Sequence, residues 1–426
     1  MSAFDKVIGY DSIKNELLQI CDMIHNKEIY ENMGAKLPQG ILLYGDPGLG
    51  KTMMAKAFIE ESGIPAYTVR RNKNSDGFID EITGAFASAK GNAPAIVFLD
   101  DMDKFANEDN NHRDAEEYVA VQAAIDDAKG LDVFVLATVN DIDKLPRSLL
   151  RSGRFDSKIE FHNPVGPDAV KIITHYLNGK KISADVDMED VSKMLGNSSC
   201  ADLETVLNAA AISAACARKD CVGMDDLVEA TLRMQYDAPD YSIRKSDEEI
   251  RKIAIHEAGH LVMSEVLDPG GVGLVSVRST GRDSSGGFVS RCNEITTRRH
   301  DILISLASKA AVELYYAETC ASGCQSDINR AVKRIRDGLI NNATLGLGLV
   351  DVETRFSPST SENLNARAEA VTHAELERYM LKARDILMKN REFLEKARDA
   401  LIEKETLLYS DIRRIRESVK ITEAAA

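Results

Sequence analysis

Gly45-Asp46-Pro47-Gly48-Leu49-Gly50-Lys51-Thr52 follows the apolar run Ile41-Leu42-Leu43-Tyr44 and precedes the helix-forming Met53-Met54-Ala55-Lys56-Ala57-Phe58. The stretch fits G-x-x-x-x-G-K-[ST], and a strand before it with a helix after it is the context this pattern requires. Its glycines let backbone N–H groups turn onto phosphate oxygens at a helix N-terminus. Lys51 is placed to reach the β- and γ-phosphates and Thr52 to ligate Mg2+, so ATP with Mg2+ is the expected ligand. Outward from this loop, residues 39–165 alternate short apolar strands such as Ala95–Leu99 and Val133–Val139 with helical stretches. That alternation predicts a parallel sheet covered by helices.

The run Ile96-Val97-Phe98-Leu99-Asp100-Asp101 ends in two carboxylates. Such a strand puts Asp100 beside the Mg2+ and leaves Asp101 to position the attacking water. Ala137-Thr138-Val139-Asn140 closes a further strand, and Asn140 at its tip can touch the γ-phosphate or that water. Arg147-Ser148-Leu149-Leu150-Arg151-Ser152-Gly153-Arg154-Phe155-Asp156 follows. Arginines here do not easily reach their own phosphate, whereas Arg151 and Arg154 suit a neighbouring subunit's site as arginine fingers. Taken singly, Asn140 or Arg154 reads as structural. In this order behind the phosphate loop they form one constellation.

A second chemistry sits far downstream, in His256-Glu257-Ala258-Gly259-His260. On a helix the two histidines are one turn apart on one face, so both imidazoles can hold one Zn2+. Glu257 beside them can take a proton from a zinc-bound water. Leu261-Val262-Met263-Ser264-Glu265-Val266 adds no histidine, so the third ligand comes from elsewhere. Asp327, Glu313 and Glu318 are the candidates, and position alone does not rank them.

Composition narrows the partners. Lys and Arg number 53 against 68 Asp and Glu, a net charge of -15 over 426 residues. With no basic stripe to offset that surplus, nucleic acid is not the expected partner. Seven cysteines, at positions 21, 200, 216, 221, 292, 320 and 324, are an odd and scattered set that fits reduced thiols. The close pairs Cys216/Cys221 and Cys320/Cys324 fall in different expected domains, which argues against a shared structural zinc. No run approaches the roughly 18 apolar residues of a bilayer span, and Met1-Ser2-Ala3-Phe4-Asp5-Lys6 has no signal-peptide core. A cytoplasmic protein without a membrane span is expected.

The length allows two or three domains. We expect an α/β nucleotide-binding domain at 1–165, a helical lid at 166–240 and a zinc peptidase domain at 246–426. Within the lid, 202–215 has helical periodicity, and the turn-rich 237–242 reads as a linker. Residues 270–278 and 286–290 read as one or two short strands in an otherwise helical third unit. Residues 363–405 read as a charged, solvated packing helix.

With these residues assembled, the chain resembles the FtsH family of AAA+ zinc proteases from Val7 to Ile415. Val7-Ile8-Gly9-Tyr10 looks like the family's adenine-contacting segment, which gives Ile8 and Gly9 to the nucleotide. Gly45–Thr52, Asp100 and Asp101, Asn140, and Arg151 with Arg154 match its phosphate loop, Mg2+ strand, sensor and paired fingers. Cys200-Ala201-Asp202-Leu203 stands where the family carries Gly-Ala-Asp-Leu, in the lid near adenine, which places Ala201 there. Ser326-Asp327-Ile328 falls on its Asn-Asp-Ile, whose Asp is the third zinc ligand, and this favours Asp327. The resemblance implies an AAA+ P-loop parallel-sheet domain with a small helical lid, followed by a mostly α-helical zinc peptidase domain. It also implies Zn2+, ATP and Mg2+, a homohexameric ring, ATP-driven threading of protein substrates, and hydrolysis inside a chamber.

Several departures set an alternative beside that reading. The family's N-terminal membrane spans have no counterpart in this sequence. Asp101 stands for the family's Glu, and Cys200 for its Gly. Counted forward from Thr52, the family's Phe-Val-Gly pore loop lands on Phe78-Ile79-Asp80; counted back from Pro94, it lands on Asn74. A lost helical turn after Phe78 accounts for the mismatch, and Phe78 is the expected pore aromatic. The alternative is a nucleotide-gated assembly that binds or remodels proteins with weak or no processive proteolysis.

Overall fold

Parallel strands buried on both faces read as unbroken apolar runs, as Ala95–Leu99 and Val133–Val139 do. In the computed structural model, β1 (Gly40–Tyr44), β2 (Ala66–Val69), β3 (Ala95–Leu99), β4 (Val133–Val139) and β5 (Ser157–Glu160) form one parallel sheet in the order β2-β3-β4-β1-β5. Every residue of β3 and β4 is buried. The structure describes residues 2–71, 75–106, 115–238, 246–280, 286–293, 297–316, 324–340 and 362–423. The chain divides into two compact units, Met1–Asn178 with Asn197–Thr205, and Gly179–Gly196 with Val206–Ala426.

In the first unit the register pairs Leu99 with Ala137 and Tyr44 with Val139. The C-terminal ends of β3, β4 and β1 therefore stand side by side, where open parallel sheets bind their ligands.

The helix Ser75–Gly91 corrects one expectation. Phe78 is fully buried, with its ring edge-on to Phe105 at 4.9 Å, and it shares a core with Ile82, Phe86 and Ala89. Those positions repeat at helical spacing and form the inward face of the helix. Phe78 is thus a core residue of its own subunit and not a pore aromatic; Asn74 lies outside the described residues. Phe78→Ala is expected to destabilise this unit by about 3–5 kcal/mol, the usual cost of emptying a buried phenylalanine site. Urea denaturation measures it, and an unchanged midpoint would put Phe78 back on a surface.

The second unit is mainly helical. Asp247–Leu267 begins with a capping box: Ser246 Oγ accepts the Glu249 N–H at 3.3 Å, and Glu249 Oε2 accepts the Ser246 N–H at 2.8 Å. Beyond its first turns the helix is buried on most sides, with Ile255, Leu261, Val262 and Met263 in the apolar core and Glu257, Ser264 and Glu265 buried among them. Gly259 permits close approach: a Cβ there would sit 2.6 Å from the Ala307 carbonyl on the helix Arg298–Tyr316.

The expected strands are present as β6 (Val272–Ser276) and β7 (Phe288–Arg291). They join β8 (Thr406–Leu408), which sequence reading missed, in an antiparallel sheet ordered β7-β6-β8. The charged stretch expected as one solvated helix is two core helices, Glu362–Lys389 and Arg391–Lys404. Asn390 divides them; its buried side chain accepts the Thr422 N–H at 2.8 Å and donates to the Ile386 and Thr422 carbonyls at 2.9 and 3.0 Å. Tyr379, Ala383, Leu387, Phe393, Leu394 and Leu401 line their buried faces.

Candidate functional site

The phosphate loop leaves β1 and enters the helix Lys51–Ser62 at Gly50, whose φ of 86° is left-handed and so suits glycine. Nothing lies within 4 Å of where a Cβ would stand on Gly50. The first helical N–H groups follow Gly50, which is where a phosphate binds. Lys51 is buried, and Nζ donates to the carbonyls of Gly45 and Asp46 at 2.6 and 2.7 Å and to Asn140 Oδ1 at 2.9 Å. Burial lowers its pKa, against the opposing pull of Asp103, Asp101 and Asp46.

Thr52 Oγ1 and Thr138 Oγ1 both donate to Asp100 Oδ1 at 2.8 Å. Thr52 and Asp100 are therefore adjacent, as two groups serving one Mg2+ must be. Asp101 takes a left-handed backbone, φ 54° and ψ 48°, and its N–H donates to Thr138 Oγ1 at 2.9 Å. Its carboxylate is held by Lys104 Nζ at 2.6 Å.

The adenine-side residues gather in the same unit. The Ala201 N–H donates to the Gly48 carbonyl at 3.1 Å, and Gly9 backs onto Ile172. Ile8 is half-buried between Val7 and Gly9. Tyr10 donates to the His162 carbonyl at 3.0 Å and lies 3.5 Å from Cys200 Sγ. Burial, with Cys200 adding to it, pushes the Tyr10 hydroxyl far above its ordinary range.

The two arginines differ. Arg151 is exposed and makes no side-chain hydrogen bond or ion pair among the described residues. Arg154 is bidentate to Asp126, with Nε 3.0 Å from Oδ1 and NH2 2.7 Å from Oδ2, and it also donates to the Ser148 carbonyl. Those bonds hold the Asp126 carboxyl well below its usual range.

In the second unit His256, His260 and Asp327 present three ligand atoms within 4.8 Å of one another. Asp327 Oδ2 lies 3.3 Å from His256 Nε2 and 3.1 Å from His260 Nε2. His260 Nδ1 faces the Ile304 carbonyl at 2.8 Å. A carbonyl only accepts, so Nδ1 carries the proton and Nε2 turns its lone pair toward Asp327. Two such acceptor lone pairs repel unless a cation is shared between them, and the set His, His, carboxylate fits Zn2+. Without metal, a proton serves. Burial works to lower the His260 pKa, but Asp327 outweighs it and lifts it to about 9. Burial likewise works to raise Asp327, and hydrogen bonds from His256, His260 and Ser308 leave it well below the carboxylate range.

Glu257 is buried beside this cluster, with Oε1 4.0 Å from His256 Nε2. Burial raises its pKa, opposed by both histidines and by a backbone hydrogen bond from Gly287. Of the other third-ligand candidates, Glu313 pairs with Lys309 at 2.6 Å away from the cluster, and Glu318 lies outside the described residues. Asp327→Ala is expected to weaken zinc binding beyond the ~10–100-fold typical of losing an outer partner. Metal analysis after dialysis measures it; full occupancy would exclude Asp327 as a ligand.

Sequence reading missed the groups that hold the ligands. Ser308 Oγ donates to Asp327 Oδ2 at 2.8 Å, and Cys324 Sγ lies 3.8 Å from His256 Nδ1. Neither stands in a motif, and folding alone brings Ser308 to the site. Asp126, the partner of Arg154, and Thr138, which bridges Asp100 and Asp101, were missed for the same reason.

A parallel-sheet unit with a phosphate loop, followed by a mainly helical unit with a His-Glu-x-x-His cluster, is the architecture of the AAA and zinc-peptidase classes. Residues 41–163 match the ATPase family associated with various cellular activities (AAA), and residues 243–415 match Peptidase family M41. The chain is 32% identical over 437 residues to the ATP-dependent zinc metalloprotease FtsH of Leptotrichia buccalis, covering 97% of this chain and 56% of that protein. It is 31% identical over 446 residues to ATP-dependent zinc metalloprotease FtsH 2 of Symbiobacterium thermophilum, covering 97% and 74%. The chain belongs to the FtsH family of ATP-dependent zinc metalloproteases. It spans little more than half the length of the first of these relatives. No helix among the described residues is long and apolar enough to cross a membrane.

Proposed function

We propose that this chain is the subunit of an ATP-dependent zinc endopeptidase that unfolds, threads and hydrolyses protein substrates. The observation that carries the reading is the convergence of His256, His260 and Asp327 with Glu257 alongside, in a chain that also holds a complete phosphate loop. Zn2+, when bound, supplies Lewis acidity toward water and the scissile carbonyl. Ser308 and the Ile304 carbonyl orient the ligand set, and Glu257 accepts the proton that water gives up and returns it to the leaving amine. In the other unit Lys51 and the loop N–H groups hold the triphosphate, Thr52 and Asp100 hold Mg2+, Asp101 and Asn140 position water, and Ile8, Gly9 and Ala201 enclose adenine. Arg151 and Arg154 complete a neighbour's site, so the working form is a homo-oligomer, a hexamer by family resemblance. The proposed division remains 1–165, 166–240 and 246–426, in a cytoplasmic setting that suits six cysteines outside any disulfide among the described residues.

Burial of Phe78 favours a second reading, a remodelling assembly with weak processive proteolysis, because it leaves the expected grip unassigned. Casein degradation with ATP, with a non-hydrolysable analogue and with a zinc chelator separates the two. Degradation that needs both hydrolysis and zinc supports the peptidase; casein left intact under all conditions rejects it.

A further inference from the structure

One basic side chain at the nucleotide site has no part in the reading above. Arg70 follows the last residue of β2, and the pairing of Val69 with Leu99 sets it beside Asp100. Its Nε lies 3.9 Å from Asp100 Oδ2, and its NH2 lies 3.7 Å from Asp101 Oδ2. The other oxygen of Asp100 is occupied by Thr52 and Thr138, so Arg70 addresses the oxygen they leave. The Arg70 side chain is 66% exposed, and its guanidinium faces both carboxylates from the end of β2.

Two carboxylates at a triphosphate site repel an anionic ligand unless a cation offsets them. Mg2+ is one such cation; the chain itself supplies Lys104, 2.6 Å from Asp101 Oδ2, and Arg70, which faces Asp100 as well as Asp101. We infer that Arg70 is a positioning residue of the ATPase site: a resident counter-ion of Asp100 and Asp101 that Mg2+ must displace from Asp100 when Mg·ATP binds. The inference rests on the nucleotide-site reading proposed above. Opposite signs make it testable. Removing Arg70 makes the site more negative, so metal-free ATP should bind more weakly while Mg2+ is taken up more readily. A purely structural role would weaken both.

The experiment titrates a fluorescent ATP analogue into the full chain, first in EDTA and then across a Mg2+ series at fixed ionic strength. Arg70→Gln is expected to weaken metal-free binding and to lower the Mg2+ midpoint, each by about three- to tenfold, the scale for an exposed charge pair near 4 Å. Arg70→Lys should stay near wild type on both measures, and added salt should shrink both effects. An Arg70→Gln midpoint that is unmoved or raised, with nucleotide still bound, overturns this inference alone. A wild-type chain that binds no nucleotide overturns the nucleotide-site reading and the inference with it.

Discussion

Glu257→Gln is expected to lower peptide hydrolysis by about 10²–10⁴-fold, the range for a lost general base, while zinc content and ATP turnover stay at wild-type levels. Glutamine keeps the shape of a side chain that is only 3% exposed, and its carbonyl can still accept a backbone hydrogen bond as Glu257 does from Gly287. What it loses is the capacity to take a proton. Burial already raises the Glu257 pKa, which moves the group toward the range where a base can both accept and release a proton near neutrality. A fluorogenic peptide assay, metal analysis and phosphate release on one preparation make the comparison. Near-normal cleavage by the variant would remove Glu257 from the chemistry; loss of zinc would recast it as a structural support of the cluster.

Arg151→Ala is expected to lower ATP turnover by ~10³-fold or more, the usual effect of losing an arginine finger, without changing the stability of the subunit. Arg151 is exposed and makes no ion pair among the described residues, so its removal breaks nothing within its own chain. Arg154→Ala should silence turnover too, but with a second signature. Its loss strips Asp126 of a bidentate partner and frees the Ser148 carbonyl. Asp126 is 37% exposed, so solvent screening limits the cost to on the order of 1 kcal/mol. The sign follows from the depressed Asp126 pKa: that stability is present above the ordinary carboxylate pKa and is lost as pH falls below it. Urea midpoints at neutral and acid pH, set beside ATPase rates, distinguish the two arginines. Full turnover by a monomeric Arg151→Ala protein would reject the in-trans assignment for that residue.

Much of the nucleotide unit was legible because its signals are local. A phosphate loop between a strand and a helix, an apolar strand ending at Asp100 and Asp101, and a strand ending at Asn140 are each written within a few residues. Local signals fail where one residue type serves two environments. Phe78-Ile79-Asp80 matches a pore loop, yet Phe78, Ile82 and Phe86 also share one helical face, and burial chose the second pattern. The same ambiguity hid the break at Asn390, since a charged helix looks alike whether it lies on the surface or offers one face to a core.

The chemistry is written in residue type and short spacing: a phosphate cradle, paired carboxylates, and two histidines one helical turn apart with Glu257 between them. The backbone geometry of one element converts such spacing directly into position. Which distant groups complete each site was set by packing. The strand order β3-β4-β1 set Asp100, Asn140 and Lys51 side by side. Packing of separate helices brought Asp327, Ser308 and the Ile304 carbonyl to the histidines. The register of β2 on β3 placed Arg70 over the carboxylates. Contacts of that kind join residues far apart in the chain, and no local pattern encodes them, because their energy is realised only when the elements pack.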